Sequence, residues 1–389
     1  MEEWKTYKLG DLVNLYSGGT PNKSKAGYWG GSIPWISAKS MYEDFLSTSD
    51  LFITESGLKA GSKLAKKDTI LLLTRGSGLF NRIPVCWTER DLAFNQDVKN
   101  IVSKDDSVLL NQYLYYWLYG NKAGITAILE TTGIGAGKID TERFLSLDVS
   151  IPSVNEQNRI IRIVEPIFDK IAINNRINHN LLNLAQELFD NSLVINSSCL
   201  DSCMAASLLD IAEYLNGLAM QKYPAVNGEV GLPVLKIKEL GQQTCDANSD
   251  KCSESIPAQY VVEDGDIIFS WSGTLLVDFW CGGLCGLNQH LFKVSSDMYP
   301  NWFVFFWTKH HLDRFIRIAK DKAVTMGHIK RGDLGNAKVI IPNDALMKEL
   351  NEEITPIISE YIDRRIENRK LQSLRDSLLP ELMSGQLTC

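Results

Sequence analysis

No apolar run in this chain approaches the roughly 20 residues that cross a bilayer, and the opening MEEWKTYKLGD is charged where a secretory signal would be apolar. Both features predict an intracellular, cytoplasmic protein with no membrane partner. Eight cysteines fall at irregular intervals over 389 residues, which argues against a disulfide scaffold and suits reduced thiols. Only CGGLCGLNQH, with Cys281, Cys285 and His290, has the look of a metal site. Zinc takes four ligands at tight paired spacing, and the nearest second pair, Cys245 and Cys252, is set too widely; buried free thiols and no metal are expected. Basic excess is missing as well. A formal net charge of −7 withholds the usual footprint of nucleic-acid binding, although a local patch counts for more than the sum.

Catalytic constellations are also missing. None of the five histidines, His179, His290, His310, His311 and His328, forms an H-E-x-x-H pair. There is no G-x-S-x-G elbow and no Asn/Asp-Pro-Pro-aromatic run of the kind that holds a flipped base. TTGIGAGKID (131–140) looks like a phosphate cradle, but a P-loop needs Gly where Thr132 stands and Ser or Thr where Ile139 stands. The dinucleotide pattern fails too, since Gly137 comes one position early. A turn between two elements is the simpler reading.

What the chain does have is an internal repeat. NQYLYYWLYG from Asn111 returns as NWFVFFWTKH from Asn301, 190 positions later. The same offset maps Gly137 on Gly327, Ile139 on Ile329, Ile151–Pro152 on Ile341–Pro342, and Pro166 on Pro356. Upstream the offset drifts: Asn95–Gln96 matches Asn288–Gln289, Gly10–Leu12 resembles Leu209–Ile211, and Pro34 resembles Pro233. The second copy of the glycine loop reads AVTMGHIKR, with His328 where Lys138 stood. A phosphate cradle would not keep its place and lose its glycines; an exposed contact loop can.

Each copy divides again. Short β-like runs such as DTILLLT (68–74) and GDIIFSW (265–271) alternate with helix-like stretches such as 111–119, which predicts a mixed α/β globule. Then apolar residues take up 4-3-4 spacing at Ile160, Val164, Ile167, Ile171, Leu181, Ala185 and Leu188, and again at Leu350, Ile354, Ile357, Tyr361, Leu371 and Leu378. That is coiled-coil spacing, with Pro166 and Pro356 placed to kink or restart the helices. The organisation predicted is a globule over 1–150, a long helix over 151–198, a second globule over 199–340 and a second long helix over 341–389. The two helices are expected to pair as an antiparallel coiled coil about a pseudo-twofold axis. Both seams turn polar at the same place, Asn174 and Asn178 in the first and Arg364 and Asn368 in the second. A buried Asn178–Asn368 pair, equivalent in the repeat, would fix the register of the helices.

Loop residues suited to nucleic acid are scattered over both globules. Arg reads guanine and Asn or Gln reads adenine through paired hydrogen bonds, with lysines on phosphate. The candidates are Lys39, Arg75, Ser77, Asn95, Gln96 and Lys138 in the first half, and Lys236, Lys238, Ser272, Asn288, Gln289, His290, His328, Lys330 and Arg331 in the second.

LGDLVNLYSGGTP (9–21), YWGGSIPWIS (28–37), NQYLYYWL (111–118), IPSVNEQNRII (151–161) and LRDSLLPELMSGQL (374–387) together resemble the specificity subunits of type I restriction–modification systems. The second half departs, with MQKYPAVNGEVGLPVLKI in place of the Gly-rich opening and IPNDALMKEL without the Glu-Gln pair. The resemblance implies two target-recognition domains that bind double-stranded DNA, each reading half of a bipartite target, and no catalysis by this chain. It also implies two modification (methyltransferase) subunits as partners, with restriction subunits in the full complex. S-adenosylmethionine, ATP and magnesium would bind those partners. Two other readings stay open: a self-sufficient DNA methyltransferase, which would bind the methyl donor alone, and an acidic DNA mimic or scaffold, which would bind no duplex.

Overall fold

The computed structural model describes residues 4–387 apart from 134, 196–202, 227 and 322–326. The chain forms two compact units: residues 1–173 together with 371–389, and residues 174–370. The boundary therefore falls inside both long helices.

The first unit is built on the run ILLL. Ile70–Leu73 is buried at every position, as a continuous apolar run predicts for a strand covered on both faces. It is the middle strand of a five-stranded sheet ordered Val13–Ser17, Val98–Ser103, Ile70–Leu73, Val85–Thr88, Phe45–Leu46. A second sheet, ordered Phe52–Ile53, Trp29–Ile36, Leu92–Phe94, Lys63–Ala65, has one parallel pairing, Trp35 opposite Ala93 and Ile36 opposite Phe94. The helix Asn111–Gly120 buries six consecutive residues, Tyr113 to Leu118, so it lies in the core rather than on it. Lys5–Lys8 pairs antiparallel with Asp148–Ile151 and closes the globule where the long helix begins.

The second unit repeats this plan. Its sheet runs Glu213–Asn216, Leu291–Ser295, Ile267–Ser270, Leu276–Phe279. A second sheet again has one parallel pairing, Val234 opposite Gly286 and Leu235 opposite Leu287. Asn301–His310 is the buried aromatic helix, and Met204–Ser207 pairs with Lys338–Ile341. The helix Asn301–His310 and the strand Lys338–Ile341 lie 190 positions after their counterparts, as the sequence repeat predicts. Two glycines mark the shared plan. A Cβ on Gly18 would stand 2.1 Å from the Phe94 carbonyl oxygen, and one on Gly217 would stand 2.2 Å from that of Asn288. Both backbones approach a neighbouring strand too closely for any side chain.

The long helices span Val154–Phe189 and Asp344–Met383, 36 and 40 residues. Pro166 and Pro356 interrupt neither; each lies inside a helix long enough to continue past one missing hydrogen bond. The seam expected at 4-3-4 spacing shifts by one residue at four places. Phe168, Phe189, Ile358 and Leu379 are buried, while Ile167, Leu188, Ile357 and Leu378 are only partly so. Phe168 and Phe189 lie 21 positions apart, as do Ile358 and Leu379, and Ile160, Val164, Ile171 and Ala185 are buried as expected, so the heptad period holds and only the seam residue chosen at these four places differs. Residue number rises along one helix as it falls along its partner: Phe168 meets Arg375 in the first unit, and Asn174 meets Arg364 and Asn368 in the second. No helix among the described residues is long and apolar enough to cross a membrane.

Candidate nucleic-acid interface

The glycine loop is the turn of a hairpin. Leu129–Thr131 pairs with Gly137–Ile139. Thr132 ties the turn, accepting from the backbone of Ala136 through its Oγ1 at 3.1 Å and from Gly135 through its carbonyl at 2.8 Å. Those N–H groups are thus engaged inside the loop. Gly135 has φ +78°, and a Cβ on Gly137 would meet Leu79 Cβ at 3.0 Å. The glycines serve a tight turn and its packing.

The hairpin carries Lys138 to a chemically pointed place. Gly137–Ile139 also pairs with the short strand Arg75–Gly76, and Lys138 stands opposite Arg75. Like charges opposite each other on paired strands repel. Glu130, on the other side of Lys138, is also drawn to Arg143 at 3.6 Å. Beside them, Lys99 has its ammonium held below the ordinary lysine value by burial and then by Arg75, with Asp97 opposing. Thr74 donates its backbone N–H to the Asp97 carbonyl at 2.8 Å. That contact brings the 95–97 loop beside Arg75, where Gln96 is exposed and takes a hydrogen bond from Thr20 at 2.7 Å. Ser77 is exposed in the turn after Arg75. Arg75, Ser77, Gln96 and Lys138 thus share one region with Lys99, which sequence reasoning missed: nothing local separates Lys99 from any other strand lysine.

The second unit has the same frame with different chemistry. Ser272 bridges His328 as Arg75 pairs with Lys138, and Ile329 donates to the Trp271 carbonyl at 3.2 Å as Ile139 donates to that of Thr74 at 2.9 Å. Ser272 Oγ and His290 Nδ1 are 3.2 Å apart. The Trp271 ring lies 5.8 Å from His290 and 6.3 Å from His328, and its indole N–H donates to Asn216 Oδ1 at 2.9 Å. Gln289 is half-buried beside His290. Trp271 and Asn216 were not among the expected site residues.

Other candidates are placed differently. Asn95 is turned inward, its Oδ1 accepting from the backbone of Asp97 at 3.0 Å and Val98 at 3.1 Å. It shapes the loop and does not reach outward, and Asn288, 4% exposed, is buried likewise. Lys236 is paired with Asp250, and Lys238 lies 3.9 Å from Asp246; acids in the following loop neutralise both. Lys39 is exposed on the turn Ala38–Ser40, with no contact to the Arg75 region among the described residues. Lys330 and Arg331 are exposed at the start of the helix Arg331–Gly335. Cys281 and Cys285 are buried, and no three metal-ligating side chains converge among the described residues.

The polar step in the long helices is satisfied in a different pairing from the one expected. Asn174, fully buried, accepts from Arg364 at 3.0 Å and donates to Asn368 at 2.9 Å and Glu367 at 2.7 Å. Asn368 donates to Asn175 at 2.8 Å. Asn178 Oδ1 is buried without a partner. The repeat-related residues that meet are therefore Asn174 and Arg364, not Asn178 and Asn368. The repeat-related residues that meet lie four positions, about one helical turn, before the pair expected from the sequence.

Residues 1–183 match the type I restriction modification DNA specificity domain. The whole chain is similar to the MjaIX type I restriction enzyme specificity subunit of Methanocaldococcus jannaschii, 26% identical over 99% of this chain and 94% of that protein. The EcoR124I/EcoR124II specificity subunit of Escherichia coli is 33% identical over 44% of this chain and 41% of its own length. The fold resembles the crystal structure of the S subunit of a type I restriction–modification system from M. genitalium, with a TM-score of 0.59 at 14% identity over 98% of this chain and 96% of that one. The first 183 residues thus carry the type I restriction modification DNA specificity domain, and along its length and in its fold the chain is similar to the specificity subunits of type I restriction–modification systems.

Proposed function

We propose that each unit reads one half of a bipartite double-stranded DNA target through the strand pair that carries Arg75 and Lys138 in the first unit and Ser272 and His328 in the second. The observation that carries this reading is one backbone frame with two chemistries. The opposed cations of the first unit repel each other, and a phosphate or a guanine edge between them offsets that repulsion. The second unit offers an indole, two imidazoles and a hydroxyl instead. Two such faces suit two unlike half-sites.

The chain is a recognition subunit without chemistry of its own. S-adenosylmethionine, ATP and magnesium act on partner subunits: two modification subunits docked along the long helices, and restriction subunits in the full complex. The helices set the spacer between half-sites. Their partners also supply basic surface, in keeping with a net charge of −7 on this chain.

The test is to exchange residues 1–150 for those of another specificity subunit and to sequence the methylated sites in cells that also carry the modification subunit. One half of the methylated motif should change and the other persist. Joint change of both halves would refute independent reading.

A further inference from the structure

The first unit holds a cleft of about 540 Å³ whose lining includes none of Arg75, Ser77, Gln96 and Lys138. Its floor is Asn100, 4% exposed, which stands opposite Tyr16 on one neighbouring strand and Leu71 on the other. The Asn100 amide donates to Thr69 Oγ1 at 2.9 Å and to the Ile70 carbonyl at 3.1 Å. Its Oδ1 takes no hydrogen bond from any described residue. Leu58, Leu64 and the exposed ring of Tyr16 form the walls. Lys59 and Lys63 stand at the rim, in no ion pair among the described residues.

The second unit shows that the fold does not require this opening. Lys293 stands opposite Leu215 and Ile268, as Asn100 stands opposite Tyr16 and Leu71. Asp266 precedes Ile267 as Thr69 precedes Ile70. The Lys293 ammonium pairs with Asp266 at 2.7 Å and donates to the Val261 carbonyl at 3.0 Å. An ion pair fills there what an amide and a hydroxyl leave open in the first unit.

We propose that the cleft binds a single adenine nucleotide. The base stacks on Tyr16 between the leucines, its exocyclic amine donates to Asn100 Oδ1, and its phosphate meets Lys59 and Lys63. The volume lies within the ordinary range of small-ligand sites. Stacking on an aromatic ring supplies the sequence-tolerant portion of base affinity, and lysines are ready phosphate partners. This chemistry has two sources, a free nucleotide and an unstacked nucleotide of bound DNA.

The experiment uses the full chain with its modification subunits. Adenosine monophosphate is titrated by calorimetry, and 2-aminopurine emission is followed in a target duplex. Two variants are compared with wild type: Tyr16→Ala, which removes an exposed ring, and Asn100→Lys with Thr69→Asp, which installs the second unit's ion pair. Duplex affinity, measured in parallel, reports separately on DNA reading and should hold in both variants if the ligand is a free nucleotide. Tyr16→Ala should weaken monophosphate binding about tenfold, and the double variant should abolish it, if the ligand is free. If wild type binds no monophosphate but brightens 2-aminopurine, and Tyr16→Ala abolishes the brightening, the ligand is a nucleotide of the DNA. Monophosphate binding that both variants leave unchanged overturns the proposal. So does a wild type that neither binds the monophosphate nor brightens the probe.

Discussion

Arg364 donates a hydrogen bond to Asn174 at 3.0 Å, and the two residues stand 190 positions apart in a chain that repeats itself at that offset. The repeat meets itself at this pair. Asn174 is fully satisfied there, whereas Asn178 buries an oxygen with no partner. Substitutions at the two asparagines should therefore differ in sign. Asn174→Leu should destabilise by about 1–3 kcal/mol, because it removes the Arg364 and Asn368 contacts. Asn178→Leu should stabilise by about 1 kcal/mol, since an unsatisfied amide gives way to an apolar side chain. Urea unfolding of the two variants decides between them; equal signs would place Asn178 in an interaction outside this network.

Lys138→Ala should weaken DNA binding through a phosphate-type contact. The slope of log affinity against log salt should fall by about one unit. Specificity at the second half-site should be unaffected, because Lys138 belongs to the first unit. An unchanged slope would mean that Lys138 points away from the duplex.

Lys122 gives the stability a pH dependence. Burial, the larger cause, pushes its pKa down to about 8, with Asp44 opposing and Arg82 and Arg375 adding to the fall. A lysine whose folded pKa is depressed binds fewer protons folded than unfolded between that value and the ordinary one near 10.4. Stability contributed by this residue should therefore rise with pH across the window from about 8 to about 10.4. Lys122→Met should flatten that rise and stabilise the protein at pH 7 by about 1–2 kcal/mol, after allowance for the lost contact with the Tyr119 ring. Denaturation at pH 7, 9 and 10 compares the two proteins; parallel curves would show that Lys122 is solvated.

Gly18→Ala and Gly217→Ala should each destabilise by about 3 kcal/mol or more. The new methyl would sit 2.1 Å from the oxygen of Phe94, in a paired strand, or 2.2 Å from that of Asn288, in the bridge that follows the strand Cys285–Leu287. Thermal unfolding checks this, and a loss below 1 kcal/mol in either variant would show that the strand yields.

The repeat, the buried aromatic helices and the central strands were legible in the sequence, because each is written in the apolar pattern of a continuous segment. Asn111–Gly120 and Ile70–Leu73 need no distant partner to be recognised. The site was only partly legible. Arg75 and Lys138 are 63 positions apart in sequence, and only strand pairing makes them neighbours. Asn95 and Gln96 are adjacent and alike in chemistry, yet one is turned into its own loop and the other outward; that choice is made by backbone geometry. Lys236 and Lys238 looked like free cations because Asp250 and Asp246 sit across a loop from them. The heptad period was legible, but adjacent apolar residues such as Ile167 and Phe168 left open which of the two faces the seam, and packing chose the second.

The two-stranded ladders that close the globules have a mechanical meaning. In the second unit the chain enters at Met204 and leaves at Ile341, and these residues face each other at one end of a four-pair ladder. Tension applied through the flanking helices would load that ladder at its open end. Hydrogen bonds loaded this way break in succession, like the teeth of a zipper, instead of resisting together in shear. The entrance to this globule is thus a weak link under pulling force. A chain held at both long helices should yield at Met204–Ile341 before its sheet gives way.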